Sequence, residues 1–155
     1  MSIIRLRHMA HVLFVCLHNA GRSQMSQALF EHDSSGRHSA GSAGTEPAAH
    51  VHPEVVEAMK EVGIDLGGAR PKPLTPELAE QADVIVTMGC GDQCPYVPGK
   101  RYIDWDLPDP KGRSIDQVRG IRDEIARRVN ELVAELDAGA PQDSSASASR
   151  SSTSP

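Results

Sequence analysis

At 155 residues the chain is long enough for one domain with a proper core and too short for two comfortable ones. An aromatic fraction of 3% and a formal charge of -5 argue against stacked aromatic platforms and a bulk positive field, so nucleic acid is not an expected partner. No apolar run approaches the roughly 20 residues that cross a bilayer, and MSIIRLRHMAHVLFV carries no small-residue cleavage pattern, so a cytoplasmic protein without a membrane partner is expected. Three cysteines, Cys16, Cys90 and Cys94, are an odd count that fits reactive thiols in a reducing compartment better than a disulfide framework.

In chain order, residues 1–9 read as an N-terminal extension, with Met9 an alternative start. His11 to Val15 is a short apolar run of strand type. Ser23 to His32 carries Met25, Ala28 and Leu29 at helical spacing. The glycine-rich HSAGSAGTEPA is a second strand or a loop. Pro53 to Val62 is a helix with Pro53 in its first turn and Gly63 as its stop. In LTPELAEQ, Thr75 caps and Pro76 opens a short helix, and Asp83 to Met88 is a buried, β-branched strand. Ser114 and Gln117 form a capping box for a long last helix whose apolar face is Val118, Ile121, Ile125, Val129, Leu132 and Leu136, ended by Gly139 and Pro141. From Ala138 onward, a Ser- and Ala-rich tail over 138–155 offers little to bury and is expected to be disordered. One α/β catalytic domain over 10–137 is expected, a parallel sheet with helices on both faces and a core made of aliphatic residues. Its ligands would bind beyond the carboxyl ends of the strands.

Cys16-Leu17-His18-Asn19-Ala20-Gly21-Arg22-Ser23 sits at such an end, between strand and helix. A loop entering a helix N-terminus offers unpaired N–H groups and the positive end of the helix dipole, which suit a tetrahedral oxyanion. Gly21 permits a tight backbone and Arg22 adds a planar fork for two oxygens. The same field favours the thiolate of Cys16, to which Ser23 can donate, and makes it a nucleophile under the bound anion. A nucleotide-binding P-loop is excluded, since no glycine precedes the turn and no Lys-Ser or Lys-Thr pair follows it. No metal is expected: zinc usually takes four ligands, no second closely spaced cysteine pair exists, and His50 and His52 read as solvated.

The Cys-x5-Arg-Ser spacing resembles the low-molecular-weight protein tyrosine phosphatase superfamily, and the resemblance runs from about Ala10 to Leu136. VTMGCGDQCP and WDLPDPKG are similar to its arsenate reductases. The resemblance implies a three-layer α/β/α fold with a central, mainly parallel four-stranded sheet. It implies that Asp109, in Asp109-Pro110, is the general acid, with Asp106 a weaker candidate; Lys111-Gly112 follow where the phosphatases carry tyrosines. It also implies a relay in which Cys16 attacks arsenate, Cys90 attacks Cys16 as arsenite leaves, and Cys94 closes a Cys90–Cys94 disulfide that thioredoxin or another thiol reductant reopens. The oxyanion would be held by Leu17, His18, Asn19, Ala20, Gly21, Arg22 and Ser23, with no bound cofactor and a monomeric enzyme. Some members bind potassium through positions matched by Asn19 and Ser42, but Gln27 stands where they carry Glu, and no such ion is expected. Rival readings are an arsenate–mycothiol transferase type of reductase, a phosphatase, and a non-catalytic oxyanion sensor.

Overall fold

The computed structural model describes residues 9–90 and 96–139. The elements are β1 (His11–Cys16), α1 (Arg22–Ser34), β2 (Ser39–Gly44), α2 (Pro53–Lys60), α3 (Pro76–Gln81), β3 (Val84–Met88), β4 (Arg101–Asp104) and α4 (Ile115–Asp137). The four strands form one parallel sheet in the order β2-β1-β3-β4, as expected. The pattern reading yields β1 and β3, leaves β2 open as a strand or a loop, and misses β4. That strand has four residues at a sheet edge, of which Arg101 is buried and Asp104 exposed, so it shows neither a continuous apolar run nor clean alternation.

Central strands of a parallel sheet are covered on both faces and therefore read as unbroken apolar runs. In β1 and β3, Val12, Phe14, Cys16, Val84, Val86 and Met88 join one core layer, while Leu13, Val15 and Ile85 join the other. The larger layer receives Met25 and Phe30 from α1, Val55 and Met59 from α2, and the expected apolar face of α4. The smaller layer is built with Ala79 of α3, Ala82 and Cys90. The expectation of a purely aliphatic core needs correction. Phe14 packs edge-on to Phe30 at 5.7 Å and tilted against Trp105 at 5.8 Å. Few as they are, the phenylalanines and the tryptophan concentrate in the larger layer, where each brings a large apolar area.

Helix ends follow local rules. Thr75 accepts from Leu78 N, and Ser114 and Gln117 form the reciprocal capping box of α4. Gly63 and Gly139 take positive φ just beyond α2 and α4, a conformation glycine adopts without a Cβ penalty. In α1 the buried face runs through Met25 and Phe30, with Ala28 and Leu29 only partly buried. Glu61, at the end of α2, is tied to α4: a hydrogen bond from Arg119, opposed by desolvation, and one from Arg122 hold its carboxyl down to about 2. Trp105 and Leu107 are each 6% exposed. These two anchors carry the chain from β4 across the carboxyl end of the sheet towards Asp109. Among the described residues, no helix is long and apolar enough to cross a membrane.

Candidate active site

The loop from Cys16 to Gly21 has all six carbonyls occupied. Those of Cys16, Leu17, His18 and Ala20 accept from the backbone N–H groups of Thr45, Glu46, Ala48 and His52, that of Asn19 from Gln24 Nε2, and that of Gly21 from Met25 N. A trans peptide directs its C=O and the following N–H to opposite sides, and the structure contains no cis bond among the described residues. Fixing the carbonyls outward against the 45–52 segment therefore turns the amides inward. Among the described residues, the N–H groups of His18, Ala20, Gly21, Arg22 and Ser23 find no acceptor. Gly44 makes this arrangement possible, since a Cβ there would lie 2.8 Å from Leu17 O and 2.9 Å from Asn19 N.

The start of α1 differs from the other helices. Thr75 and Ser114 cap α3 and α4, whose first turns also hold Glu77 and Asp116; α1 has Gly21 at its N-cap, no side-chain cap and no acidic residue in its first turn. Its dipole end is left open to an anion. Asn19 takes the left-handed backbone conformation, with φ +52. Asparagine tolerates this region better than most residues, here with its side chain bonded on both ends. Gly21 is required for a different reason: a Cβ there would lie 2.5 Å from Pro110 Cγ. The absence of that atom lets the Asp109-Pro110 turn close over the loop.

Cys16 is 2% exposed and a free thiol. Its sulfur receives a hydrogen bond from Asn19 N at 3.3 Å and lies 2.9 Å from Ser23 Oγ. Arg22 is 7% exposed. Its Nη1 donates to Leu107 O at 3.1 Å, its Nη2 stands 3.6 Å from Asp109 Oδ2, and its buried Nε has no partner among the described residues. A buried guanidinium N–H left unpaired is costly, and a bound oxyanion would satisfy it. Gly89, with φ +79, is the floor beneath this side chain, because a Cβ there would lie 2.2 Å from Arg22 Nη1.

Of the acids at the end of β4, Asp109 reaches the loop. Its side chain is 42% exposed, wet enough to exchange a proton, and Lys111 N donates to its Oδ1 at 3.0 Å. Asp104 instead accepts from Thr87 Oγ1 at 2.7 Å, and Asp106 is exposed. The loop opens beside a cavity of about 610 Å³ whose lining includes His18, His52 and Lys111. Desolvation lowers the pKa of the His52 imidazole below its ordinary value against the opposing charge of Asp109, which favours the neutral ring. His18 pairs through Nδ1 with Glu46 O at 2.9 Å.

Cys90 lies two residues beyond Met88, the register partner of Cys16, at the carboxyl end of the neighbouring strand. It is 5% exposed, packs with Leu13, Val15 and Ile85 in the layer opposite to Cys16, and is disulfide-bonded. Cys94 lies outside the described residues. Ser42 Oγ donates to Gln27 Oε1 at 2.7 Å. Sequence reading did not single out Gln24, Gly44 or Gly89. The signal for Gln24 was a polar side chain on the buried side of a helix start; the two glycines could not be told from ordinary turn glycines without the side chains that approach them.

The chain matches the family described as low molecular weight phosphotyrosine protein phosphatase over residues 11–142. It is 35% identical to the glutaredoxin arsenate reductase of Synechocystis sp., covering 83% of this chain and 99% of that one. Among solved structures, the Corynebacterium glutamicum thioredoxin-dependent arsenate reductase is 38% identical with a TM-score of 0.75, covering 89% of this chain and 72% of that one. The YwlE arginine phosphatase of Geobacillus stearothermophilus is 27% identical with a TM-score of 0.71, covering 84% and 94%. Together with the loop geometry and the parallel sheet, these matches show that the chain belongs to the low molecular weight phosphotyrosine protein phosphatase family.

Proposed function

We propose that the chain is an arsenate reductase that converts arsenate to arsenite through a Cys16, Cys90 and Cys94 relay, with thioredoxin as the reductant. The observation that carries this reading is the different state of two sulfurs at the carboxyl ends of adjacent strands. Cys16 is a free thiol among unpaired amides, while Cys90, at the end of the adjacent strand, is disulfide-bonded. Phosphate ester hydrolysis needs one thiol, whereas reducing arsenate requires two electrons, which a dithiol supplies on becoming a disulfide. The relatives named arsenate reductase support the same reading.

In the first step the Cys16 thiolate attacks arsenic. The unpaired amides of His18, Ala20, Gly21, Arg22 and Ser23 and the Arg22 fork hold the remaining oxygens, with Leu17 and Asn19 completing the loop and Asn19 N donating to the sulfur. Asp109 protonates the departing oxygen, which leaves as water. The resulting S–As bond is broken when the Cys90 thiolate attacks the Cys16 sulfur. The bonding pair stays on arsenic, arsenite departs, and a Cys16–Cys90 disulfide remains. Cys94 then attacks Cys90 and frees Cys16 as a thiolate, and thioredoxin reduces the Cys90–Cys94 disulfide by the same exchange. Cys90 packs in the layer opposite to Cys16, so the relay requires this sulfur to leave its apolar contacts and return. Gly89, at positive φ, is the position at which the backbone can turn.

The test is arsenate-dependent NADPH oxidation through thioredoxin and thioredoxin reductase, compared with mycothiol and with glutathione plus glutaredoxin. Thioredoxin is expected to support turnover, and Cys94→Ser is expected to reduce it on the order of 100-fold or more, since the final exchange is removed. Turnover unchanged by Cys94→Ser would overturn the relay and favour transfer of arsenic to a small thiol. Efficient aryl phosphate hydrolysis without arsenate-dependent oxidation of the reductant would favour a phosphatase.

A further inference from the structure

Gln24 stands one residue past Ser23 in the first turn of α1 and is 3% exposed, and the relay gives it no part. Its Nε2 lies 3.2 Å from Asn19 O, 3.1 Å from Asn19 Oδ1 and 3.1 Å from Arg70 O. One amide nitrogen thus faces three acceptors with two hydrogens. Two of those acceptors belong to the left-handed Asn19, and the third belongs to the segment that runs beside the loop.

The consequence lies in the direction of the neighbouring hydrogen bonds. Asn19 Oδ1 receives Gln24 Nε2 and also Lys72 N at 2.8 Å. With two donors on that oxygen, the other end of the Asn19 amide must be the nitrogen, and it donates to Ser23 Oγ at 2.6 Å. Ser23 has one hydroxyl hydrogen. As an acceptor from Asn19 it has that hydrogen free for Cys16 Sγ, 2.9 Å away. Were the Asn19 amide reversed, Ser23 would donate to it and the sulfur would lose this donor.

We infer that Gln24 is a positioning residue that fixes the orientation of the Asn19 side chain, and through it keeps Ser23 a hydrogen-bond donor to the Cys16 sulfur. This rests on Cys16 being the nucleophile proposed above. The charged and titratable groups around the loop include His18 in the loop itself, Arg22 from α1, Asp109 and Lys111 from the segment after β4, and His52 ahead of α2. Gln24 touches none of them through an ion pair. Its influence on the sulfur therefore runs through hydrogen bonds and not through net charge.

The experiment measures the rate of Cys16 alkylation by iodoacetamide from pH 5 to pH 10, in full-length protein carrying Cys90→Ser and Cys94→Ser so that one thiol reports. Gln24→Met keeps length and removes the donor; Gln24→Leu removes the donor with a branched side chain, and neither adds charge. Towards the acid end of the range both are expected to slow alkylation about 5- to 10-fold, the effect of losing roughly one hydrogen bond, and the curves should converge with the parent at high pH. Superimposable profiles would overturn the inference. So would an equal reduction at every pH, the signature of a structural strut. Thermal melting monitors folding, and if Gln24→Met melts below the assay temperature the comparison is read from Gln24→Leu. Arsenate plays no part in this assay, so a protein inert towards arsenate would sink the relay without touching this result.

Discussion

Cys16→Ser is expected to lower arsenate reduction on the order of 10⁴-fold or more, because a hydroxyl in the same place is a far weaker nucleophile and forms no disulfide. Oxyanion binding should survive. The unpaired N–H groups of His18, Ala20, Gly21, Arg22 and Ser23 and the Arg22 guanidinium are untouched, and the serine hydroxyl fits the space of a thiol that is 2% exposed. Steady-state NADPH oxidation reads the first effect and calorimetric titration with phosphate or arsenate reads the second. Loss of both together would mean that Cys16 holds the loop in shape, while turnover retained at about a tenth of the original rate, only about 1.4 kcal/mol of barrier, would place the nucleophile elsewhere.

Gly89→Ala should come close to this in effect while leaving all three cysteines in place. A Cβ there would stand 2.2 Å from Arg22 Nη1, 2.8 Å from Cζ and 2.9 Å from Nη2, so the guanidinium must shift away from its bond to Leu107 O and from the anion position. Losing one well-placed donor to a developing oxyanion costs about 10²- to 10³-fold in kcat. Alanine at φ +79 adds about 1–2 kcal/mol of backbone strain. Gly36 separates the two contributions: it has φ +84 and no heavy atom within 4 Å of its would-be Cβ. Gly36→Ala should lower the melting temperature with unchanged turnover, and Gly89→Ala should lower both. Normal turnover in Gly89→Ala would show that the position of Arg22 beside Gly89 is not needed.

The strand-turn-helix unit around Cys16 was legible because three local signals coincide there: an apolar run, a Cys-x5-Arg spacing and a helix start. The capping box at Ser114 and the apolar face of α4 were legible for the same reason, since the groups that decide them are neighbours in the chain. What depends on distant residues was not. The role given to Gly21 was a backbone turn, whereas its lack of a Cβ accommodates Pro110, 89 positions later. Gly44 and Gly89 become meaningful only once Leu17 and Arg22 lie against them. By strand alternation Cys90 would share the face of Met88 and Cys16; it reaches the opposite layer because the chain leaves β3 at Gly89, at φ +79, a turn that a linear pattern does not carry. β4 escaped notice because one edge strand with a buried arginine has too little apolar character to register.

The relay requires the protein itself to supply both electrons from its own thiols. Fully reduced protein mixed with arsenate in the absence of any external reductant should release one arsenite per chain and lose two of its three thiols. Peptide mass analysis should then find Cys90 joined to Cys94 and Cys16 free. Three thiols still titrating after arsenate is added, with no arsenite formed, would contradict it.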